Sequence, residues 1–332
     1  MRHLLSDDPK APAVIIIFLT ILAISAPSSL FAGGDQADQR EVLRELPAKP
    51  ELVVELISAD CLVETGAEDM IRLRVVHSYP EDRYQVEVRE RGGEIRLRER
   101  FLRGSARGSA AWHLTVPAST QLLFSTASGD FDSEGDYAGL EAGSASGRIS
   151  VRNLDGRIDL NTASGAVRLR GLAGELSVTT ASGDVEVAGF DGRFRLRTAA
   201  GDVELADLAA EIEAATAAGS IEVVELRPTG ECSFSSAAGD VKVELAVTPT
   251  FDLSLTSASG AVELDMNGND IAGTFVFTAL QHAGRIESPL DFDEQEIFVH
   301  AGQTYLRKSF SRGSSLPVIN LATASGSARL KR

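Results

Sequence analysis

The fold of this chain is decided by one 18-residue stretch, residues 162–179, TASGAVRLRGLAGELSVT, which is followed at once by a near copy, residues 180–197, TASGDVEVAGFDGRFRLR. The opening motif, Thr/Ser-Ala-Ser/Ala-Gly, returns along the chain. Its glycines recur with one constant period, equal to the length of that stretch, at Gly129, Gly147, Gly165, Gly183, Gly201 and Gly219. The period lengthens slightly before Gly239 and Gly260, and a last copy is Thr323-Ala324-Ser325-Gly326. Such a fixed period indicates an array of repeated structural units.

Within each unit, apolar and polar residues alternate on both sides of the motif. Leu176 and Val178 precede the motif of the second copy, and Val185 and Val187 follow it. A period of two predicts strands with one buried and one solvated face. Glycine closes the motif, and a second turn lies half a unit away at Leu172-Ala173-Gly174. Because glycine adopts turn conformations that other residues resist, each unit is predicted to run strand, turn, strand, turn.

A single unit cannot bury its apolar face, so successive units are expected to stack. Each buried position then becomes a ladder, such as Val167-Val185-Val203-Ile221-Val241-Val262. The predicted fold class is all-β, a single-stranded β-solenoid or right-handed β-helix-like stack of 18-residue two-strand coils. A left-handed helix of three hexapeptides per coil would need a small aliphatic residue on a third side. Positions 166, 184, 202 and 220 are Ala, Asp, Asp and Ser, which excludes that alternative.

Outside the regular repeats, the pattern divides the chain into further segments. Residues 121–264 form the regular repeats, residues 48–120 are expected to form N-terminal coils and a cap, and residues 265–332 are expected to form irregular C-terminal coils and a cap. A separate small β-domain over 48–120 is the alternative. Ser58-Ala59-Asp60-Cys61 resembles a degenerate turn motif with Cys61 in place of glycine. Residues 33–47 are polar and are expected to be a linker.

The first 32 residues indicate export. An apolar stretch lies between Ala11 and Ala26, and Leu30-Phe31-Ala32 resembles a cleavage site before Gly33. Residues 1–32 are therefore predicted to be a signal peptide, with an uncleaved membrane anchor as the alternative. Export permits disulfides, but Cys61 and Cys232 would lie roughly 45 Å apart in the stack, and a disulfide requires about 7 Å between Cα atoms. Both cysteines are predicted to be unpaired.

The formal net charge of −16 limits the classes of partner. Nucleic acid is excluded because phosphates attract basic surfaces. Electrostatic docking on anionic lipid is disfavoured as well, so a membrane is expected to be met only through residues 11–32 if they are not cleaved. One basic cluster, formed by Arg307, Lys308 and Arg312 in a predicted loop, is a candidate partner contact; a solvated hairpin tip is the alternative.

Catalytic and metal-binding patterns are missing from the sequence. The histidines are not spaced as a zinc site requires, and no Gly-x-Ser-x-Gly elbow occurs. The Gly-Asp pairs of the turns lack the calcium-binding nonapeptide pattern. No cofactor and no metal are therefore expected. A polysaccharide-active β-helix enzyme would need carboxylates that converge in a cleft, whereas acidic residues are spread along these repeats. The chain is predicted not to be an enzyme.

The lead-in Leu114-Thr115-Val116-Pro117, the Thr-Ala-Ser-Gly-Asp-Val units and the ending with Arg307-Lys308, Gly313 and Thr323-Ala324-Ser325-Gly326 resemble the bacterial putative-adhesin family. The resemblance covers roughly residues 50–332. It implies an exported β-strand-repeat domain of unknown function in the periplasm, at the cell surface or outside the cell. The implied function is a non-catalytic adhesin or scaffold module that binds a protein or glycan of the envelope. Relatives tied to envelope stress imply an alternative role as a sensor or regulator, and the polysaccharide-active enzyme stays a third hypothesis.

Overall fold

The computed structural model describes residues 39–102, 107–313 and 315–332, and all of the regular structure there is β-strand. The all-β prediction is confirmed for these residues. The described ranges hold no helix that is long and apolar enough to cross a membrane. The predicted signal peptide or anchor, residues 1–32, and the first part of the predicted linker lie outside the described residues.

The described ranges contain 25 strands that belong to one sheet. In chain order they are β1 (Arg40–Pro47), β2 (Glu51–Glu55), β3 (Asp60–Gly66), β4 (Met70–His77), β5 (Tyr84–Arg91), β6 (Glu94–Phe101), β7 (Ala110–Pro117), β8 (Gln121–Thr126), β9 (Phe131–Glu134), β10 (Gly139–Ser144), β11 (Ile149–Arg152), β12 (Asp155–Thr162), β13 (Val167–Thr180), β14 (Val185–Ala200), β15 (Val203–Ala218), β16 (Ile221–Ala238), β17 (Val241–Leu245), β18 (Leu253–Ser257), β19 (Val262–Asp265), β20 (Gly273–Leu280), β21 (Arg285–Glu287), β22 (Glu294–His300), β23 (Gln303–Arg312), β24 (Val318–Thr323) and β25 (Ser327–Lys331).

The repeats pair in parallel with a register that equals the sequence period. Val167 lies opposite Val185, and Val185 lies opposite Val203, in each case one full repeat further along the chain. The predicted ladder from Val167 to Val262 is confirmed, and its members are at most 1% exposed. It extends beyond the prediction to Phe131 and Ile149 on one side and to Ala328 on the other. Pairing of successive units therefore buries the apolar side chains that a single unit would leave exposed.

The corners between the two strands of a unit rest on a residue with positive φ. Asn153, Gly171, Gly189, Asp207 and Glu225 occupy equivalent corners of successive repeats, with φ between 53° and 71°. The backbone there remains in the sheet, so both predicted strands of a unit merge into one long strand in β13 to β16. Glycine adopts this conformation without strain, whereas a glutamate at the same place does so at a cost.

Hydroxyl groups hold the Thr-Ala-Ser-Gly turns together. The Oγ1 atom of Thr180 accepts the backbone N–H of Gly183 at 3.0 Å, and Thr162 does the same for Gly165 at 3.0 Å. The threonines are buried, so the amide could not turn to water instead. The same turn hydrogen bond to glycine recurs in other copies of the motif, where the acceptors are Thr126, Ser257 and Thr323.

Replacing Thr180 with valine should lower the free energy of unfolding by about 1–2 kcal/mol, because a methyl group of similar size leaves the Gly183 amide unsatisfied. Urea denaturation would measure the loss. Thr179 is the matched control, since its side chain points to solvent in the same strand. Equal losses for the Thr180→Val and Thr179→Val variants would contradict this role of the hydroxyl.

The outward faces of neighbouring units carry paired charges. Arg195 and Glu213 form an ion pair at 3.0 Å, and Arg168 and Glu186 lie 3.6 Å apart. These pairs are exposed, so each contributes under about 1 kcal/mol. They do not exclude like-charge neighbours elsewhere, because Glu186, Glu204 and Glu222 lie opposite one another in successive repeats.

At the N-terminal end, a unit is inserted out of sequence order. Strands β2 and β3 pair in parallel with β6 and β7 on one side and with β8 and β9 on the other. The outer unit formed by β6 and β7 then receives antiparallel strands, β5 on β6 and β4 on β7. The unit that lies next to the regular repeats is therefore β2–β3, whereas β6–β7, which directly precedes the repeats in the chain, lies further out.

The C-terminal end shows the same arrangement in reverse order. Strands β24 and β25 lie between the unit β18–β19 and the unit β20–β21 and pair in parallel with both. Strand β23 adds to β20 in antiparallel orientation, and β22 adds to β23. The final Thr-Ala-Ser-Gly copy, residues 323–326, thus lies inside the stack.

Two expectations need correction at the N-terminal end. Residues 40–47 of the expected linker form β1, which pairs with β4 because Leu46 is buried there and Arg74 binds Glu41 at 2.6 Å. Cys61 does not replace the turn glycine: it lies opposite Phe131, and the residue at the glycine position is Ala59. The polar surroundings of residues 58–61 hid this two-residue shift.

Candidate contact surface

Arg307, Lys308 and Arg312, predicted in a loop, lie instead in strand β23 of a hairpin with β22. A two-residue turn joins the strands, with positive φ at both Ala301 and Gly302. Such turns match the twist of paired strands. The loop expectation failed because β23 is held from both sides, by β22 and by β20.

The three cations are not gathered into one patch. Side chains of successive residues in a strand point to opposite faces, so Arg307 lies on one face and Lys308 and Arg312 on the other. Arg312 contacts Asp293 at 2.9 Å, and Arg307 lies 3.5 Å from Glu296. Each cation also lies over an aromatic ring, at 4.6 Å for Arg307 on Phe298 and 5.1 Å for Lys308 on Phe292. Arg307 and Arg312 therefore have carboxylate partners, whereas Lys308 contacts the Phe292 ring and has no carboxylate partner among the described residues.

The unusual feature of the hairpin is apolar and was missed by the sequence analysis. Ile297 and Val299 are 54% and 70% exposed, although β-branched residues in strands are usually half-buried. Phe298 lies between them and stacks on Tyr305 at 5.5 Å. The signal was present in the sequence as the uncharged run Ile297-Phe298-Val299 between Glu296 and His300.

Strand β22 is also an edge of the sheet. Among the described residues it pairs with β23 alone, so one side of its backbone, from Glu294 to His300, has no strand partner. We call this side the open edge. Exposed edges invite pairing with another strand, and proteins commonly protect them with charges. Strand β5, an edge at the other end, carries Glu87, Arg89, Glu90 and Arg91, whereas the centre of the open edge carries no charge.

Two surface depressions lie elsewhere on the described residues. One of about 280 Å³ is lined by Arg193, Arg195, Glu211 and Glu213 among others. Its arginines and glutamates are bound to each other, with Arg193 and Glu211 at 3.0 Å. The structure therefore offers no unpaired functional group from these four residues to a ligand.

The second depression, of about 540 Å³, is bordered by Glu99 and Ile57. Glu99 is 4% exposed, and its Oε2 atom accepts the backbone N–H groups of Ile57, Ser58 and Ala59 at 2.6, 2.8 and 3.3 Å. In the repeats, the amides equivalent to those of Ile57 and Ser58 donate to carbonyl groups of the preceding unit, as Ser146 does to Ala127. The amide equivalent to that of Ala59 donates to a hydroxyl, as Gly183 does to Thr180. Glu99, from strand β6 of the outer unit, thus supplies one carboxylate oxygen as the acceptor for all three amides.

Reactive chemistry is not evident in the described part of the chain. Cys61 and Cys232 are both free and buried, as predicted, and burial raises the pKa of the Cys232 thiol to about 11 and that of Cys61 still further. Thiols with raised pKa values are poor nucleophiles. The described residues contain no group of His, Cys, Asp or Glu side chains that could hold a metal ion.

An all-β repeat domain with paired outward charges and one open edge defines the class of this protein. Residues 51–274, which make up more than half of the chain, match the Toastrack DUF4097 family. The chain belongs to that family, and the resemblance inferred from the repeat motifs is confirmed. No curated protein matches the chain.

Several solved structures resemble this one. A putative lipid binding protein from Parabacteroides distasonis has 13% identity and a TM-score of 0.44, and the match covers 90% of this chain and 98% of that chain. A putative adhesin from Parabacteroides merdae has 11% identity and a TM-score of 0.37, with 90% and 97% covered. A putative adhesin from Bacteroides fragilis has 12% identity and a TM-score of 0.36, with 90% and 99% covered.

Proposed function

We propose that this chain is a non-catalytic, exported binding or scaffold module of the cell envelope, of the adhesin type, built as a right-handed β-solenoid. The parallel register of one repeat per strand supports the solenoid, since it is the pairing that stacked coils require. The apolar stretch from Ala11 to Ala26 supports export.

The observation that carries the binding role is the exposure of Ile297 and Val299 on the open edge. Burying two β-branched side chains of this kind in a complex is favourable by several kcal/mol at about 25 cal/mol per Å². The outward faces of the repeats offer less apolar surface, because they carry charged side chains, several of which are paired with each other, such as Arg195 with Glu213. Contact through apolar side chains and free backbone groups therefore fits this surface best.

The two alternative functions have less support. A sensor that contacts its partner through the basic cluster would need free cations, but Arg307 and Arg312 are bound to Glu296 and Asp293. A polysaccharide-active enzyme would need converging carboxylates, but Glu211 and Glu213 are held by arginines on a flat outer face.

The proposal is tested by binding of the full-length chain to purified cell envelopes. The Ile297→Ser/Val299→Ser variant should lose most of the saturable binding shown by the unchanged chain. Leu43→Ser is the matched control, because Leu43 is 55% exposed on edge strand β1 and should be dispensable. Undiminished binding by the double variant, or no saturable binding by any form, would refute the proposal.

A further inference from the structure

The open edge carries a pattern that is complementary to itself. Residues 296–300 read Glu-Ile-Phe-Val-His. When two copies of this strand lie antiparallel with the two Phe298 residues opposite each other, Ile297 meets Val299 of the second copy and Glu296 meets His300 of the second copy. Aromatic, β-branched and carboxylate–imidazole pairs each stabilise antiparallel strands. If the centre of pairing moved to Glu296, two like charges would lie opposite each other.

The hydrogen-bonding groups of the backbone fit this register. The carbonyl group of Thr304 accepts the N–H of Gln281, so the backbone of Thr304 points toward β20 and away from β22. Its cross-strand neighbour Val299 therefore points its own N–H and C=O groups outward, and Ile297, two residues earlier, does the same. In the proposed pairing, Ile297 of one copy lies opposite Val299 of the second copy. The outward N–H and C=O groups of these two residues then face each other.

Phe298 fits the centre for the complementary reason. Its backbone groups are used toward Tyr305 in β23, so two Phe298 residues would form a non-hydrogen-bonded pair, in which side chains approach most closely. Arg307 lies over the Phe298 ring and Glu296 lies near that arginine, so no uncompensated charge is brought to the axis.

We propose that two copies of this chain associate through antiparallel pairing of their β22 strands, centred on Phe298, to form a symmetric dimer. This inference rests on the proposed function, because both use the open edge of β22. It adds that the partner is a second copy of this chain. The unprotected centre of the edge favours this partner, because the remaining edge strands at the other end carry the charges that prevent such pairing.

The first test is sedimentation equilibrium of the purified full-length chain over a range of concentrations. The unchanged chain should dimerise reversibly, and Val299→Lys should weaken dimerisation by at least about tenfold by adding a charge to the edge. Leu43→Lys, on edge strand β1, should leave the association unchanged. A monomeric unchanged chain, or equal effects of both lysines, would overturn the dimer.

The second test reads the register and does not depend on the folding of the lysine variant. Only residue 298 meets itself in the proposed pairing, so Phe298→Cys should form a covalent dimer under mild oxidation. Ile297→Cys alone should not, but should cross-link when mixed with Val299→Cys. The native cysteines are buried and should not form cross-links under these conditions. Self-cross-linking of Ile297→Cys that is faster than that of Phe298→Cys would overturn the register.

Failure of the dimer can be told apart from failure of the binding role. A chain that stays monomeric and yet binds envelopes through Ile297 and Val299 would overturn the second copy as occupant and leave the proposed function standing. Vesicles and envelope glycans would then be compared as occupants with the same serine variant.

Discussion

Gly183→Ala should destabilise the protein by about 3 kcal/mol or more, one of the largest effects expected of any substitution in the repeats. A Cβ atom at Gly183 would lie well inside contact distance of the carbonyl oxygen of Gly165 in the neighbouring unit. The Cβ position is fixed by the backbone of residue 183, and the oxygen it meets belongs to the backbone of Gly165, so the clash is relieved only by separating the units. The φ angle of Gly183 is not positive, and close approach rather than turn geometry is the reason for glycine here.

Urea denaturation followed by circular dichroism would measure this loss. Gly143→Ala is the control, because Gly143 is a strand residue of the same stack whose Cβ would meet no atom closer than 3.8 Å. That variant should change stability by less than about 1 kcal/mol in either direction. If both variants unfold at the same urea concentration, close stacking does not explain the recurrent glycine.

Glu99→Ala should lower the free energy of unfolding by about 3 kcal/mol. The carboxylate is the buried acceptor for three consecutive backbone amides, and alanine would leave them without a partner. The loss should appear first as faster hydrogen exchange at Ile57, Ser58 and Ala59, because these amides lie at the end of the stack where opening is local.

Glu90→Ala serves as the control for Glu99, since Glu90 is an exposed glutamate on the adjacent strand β5. Its replacement should have little effect. Glu99→Gln should fall between the two, because an amide oxygen still accepts hydrogen bonds but without the charge. Protected amides at residues 57–59 in the alanine variant would show that another group caps the stack.

The regular part of the fold could be predicted from the sequence, because the register of strand pairing equals the length of the sequence repeat. Val167 and Val185 are related by the same single repeat in the chain and in the sheet. The two inserted units could not be predicted in this way. Val54 pairs with Phe124 although strands β3 to β7 lie between them in the chain, and nothing in the local pattern specifies that separation. Ala59, in place of a turn glycine, also removed the marker that would have set the register.

The candidate site was predicted less well, for a physical reason. Charge is conspicuous in a sequence, so Arg307, Lys308 and Arg312 were selected as candidates. The carboxylates that bind Arg307 and Arg312, Glu296 and Asp293, are brought to them only by the pairing of β22 with β23. Ile297 and Val299 look like ordinary core residues in the sequence. Whether an alternating strand is covered depends on what packs over it, and this is decided by the order of strands at the end of the sheet.

The position of β24 and β25 inside the stack has a consequence for biosynthesis. Strands β20 and β21 are made earlier, but the surface on which they rest consists of residues 318–331. During synthesis, the earlier segment therefore stays unpaired on that side until the later one emerges. During this interval, apolar residues such as Phe275 and Phe277 remain exposed. A chaperone that binds exposed apolar segments would therefore act mainly at this stage.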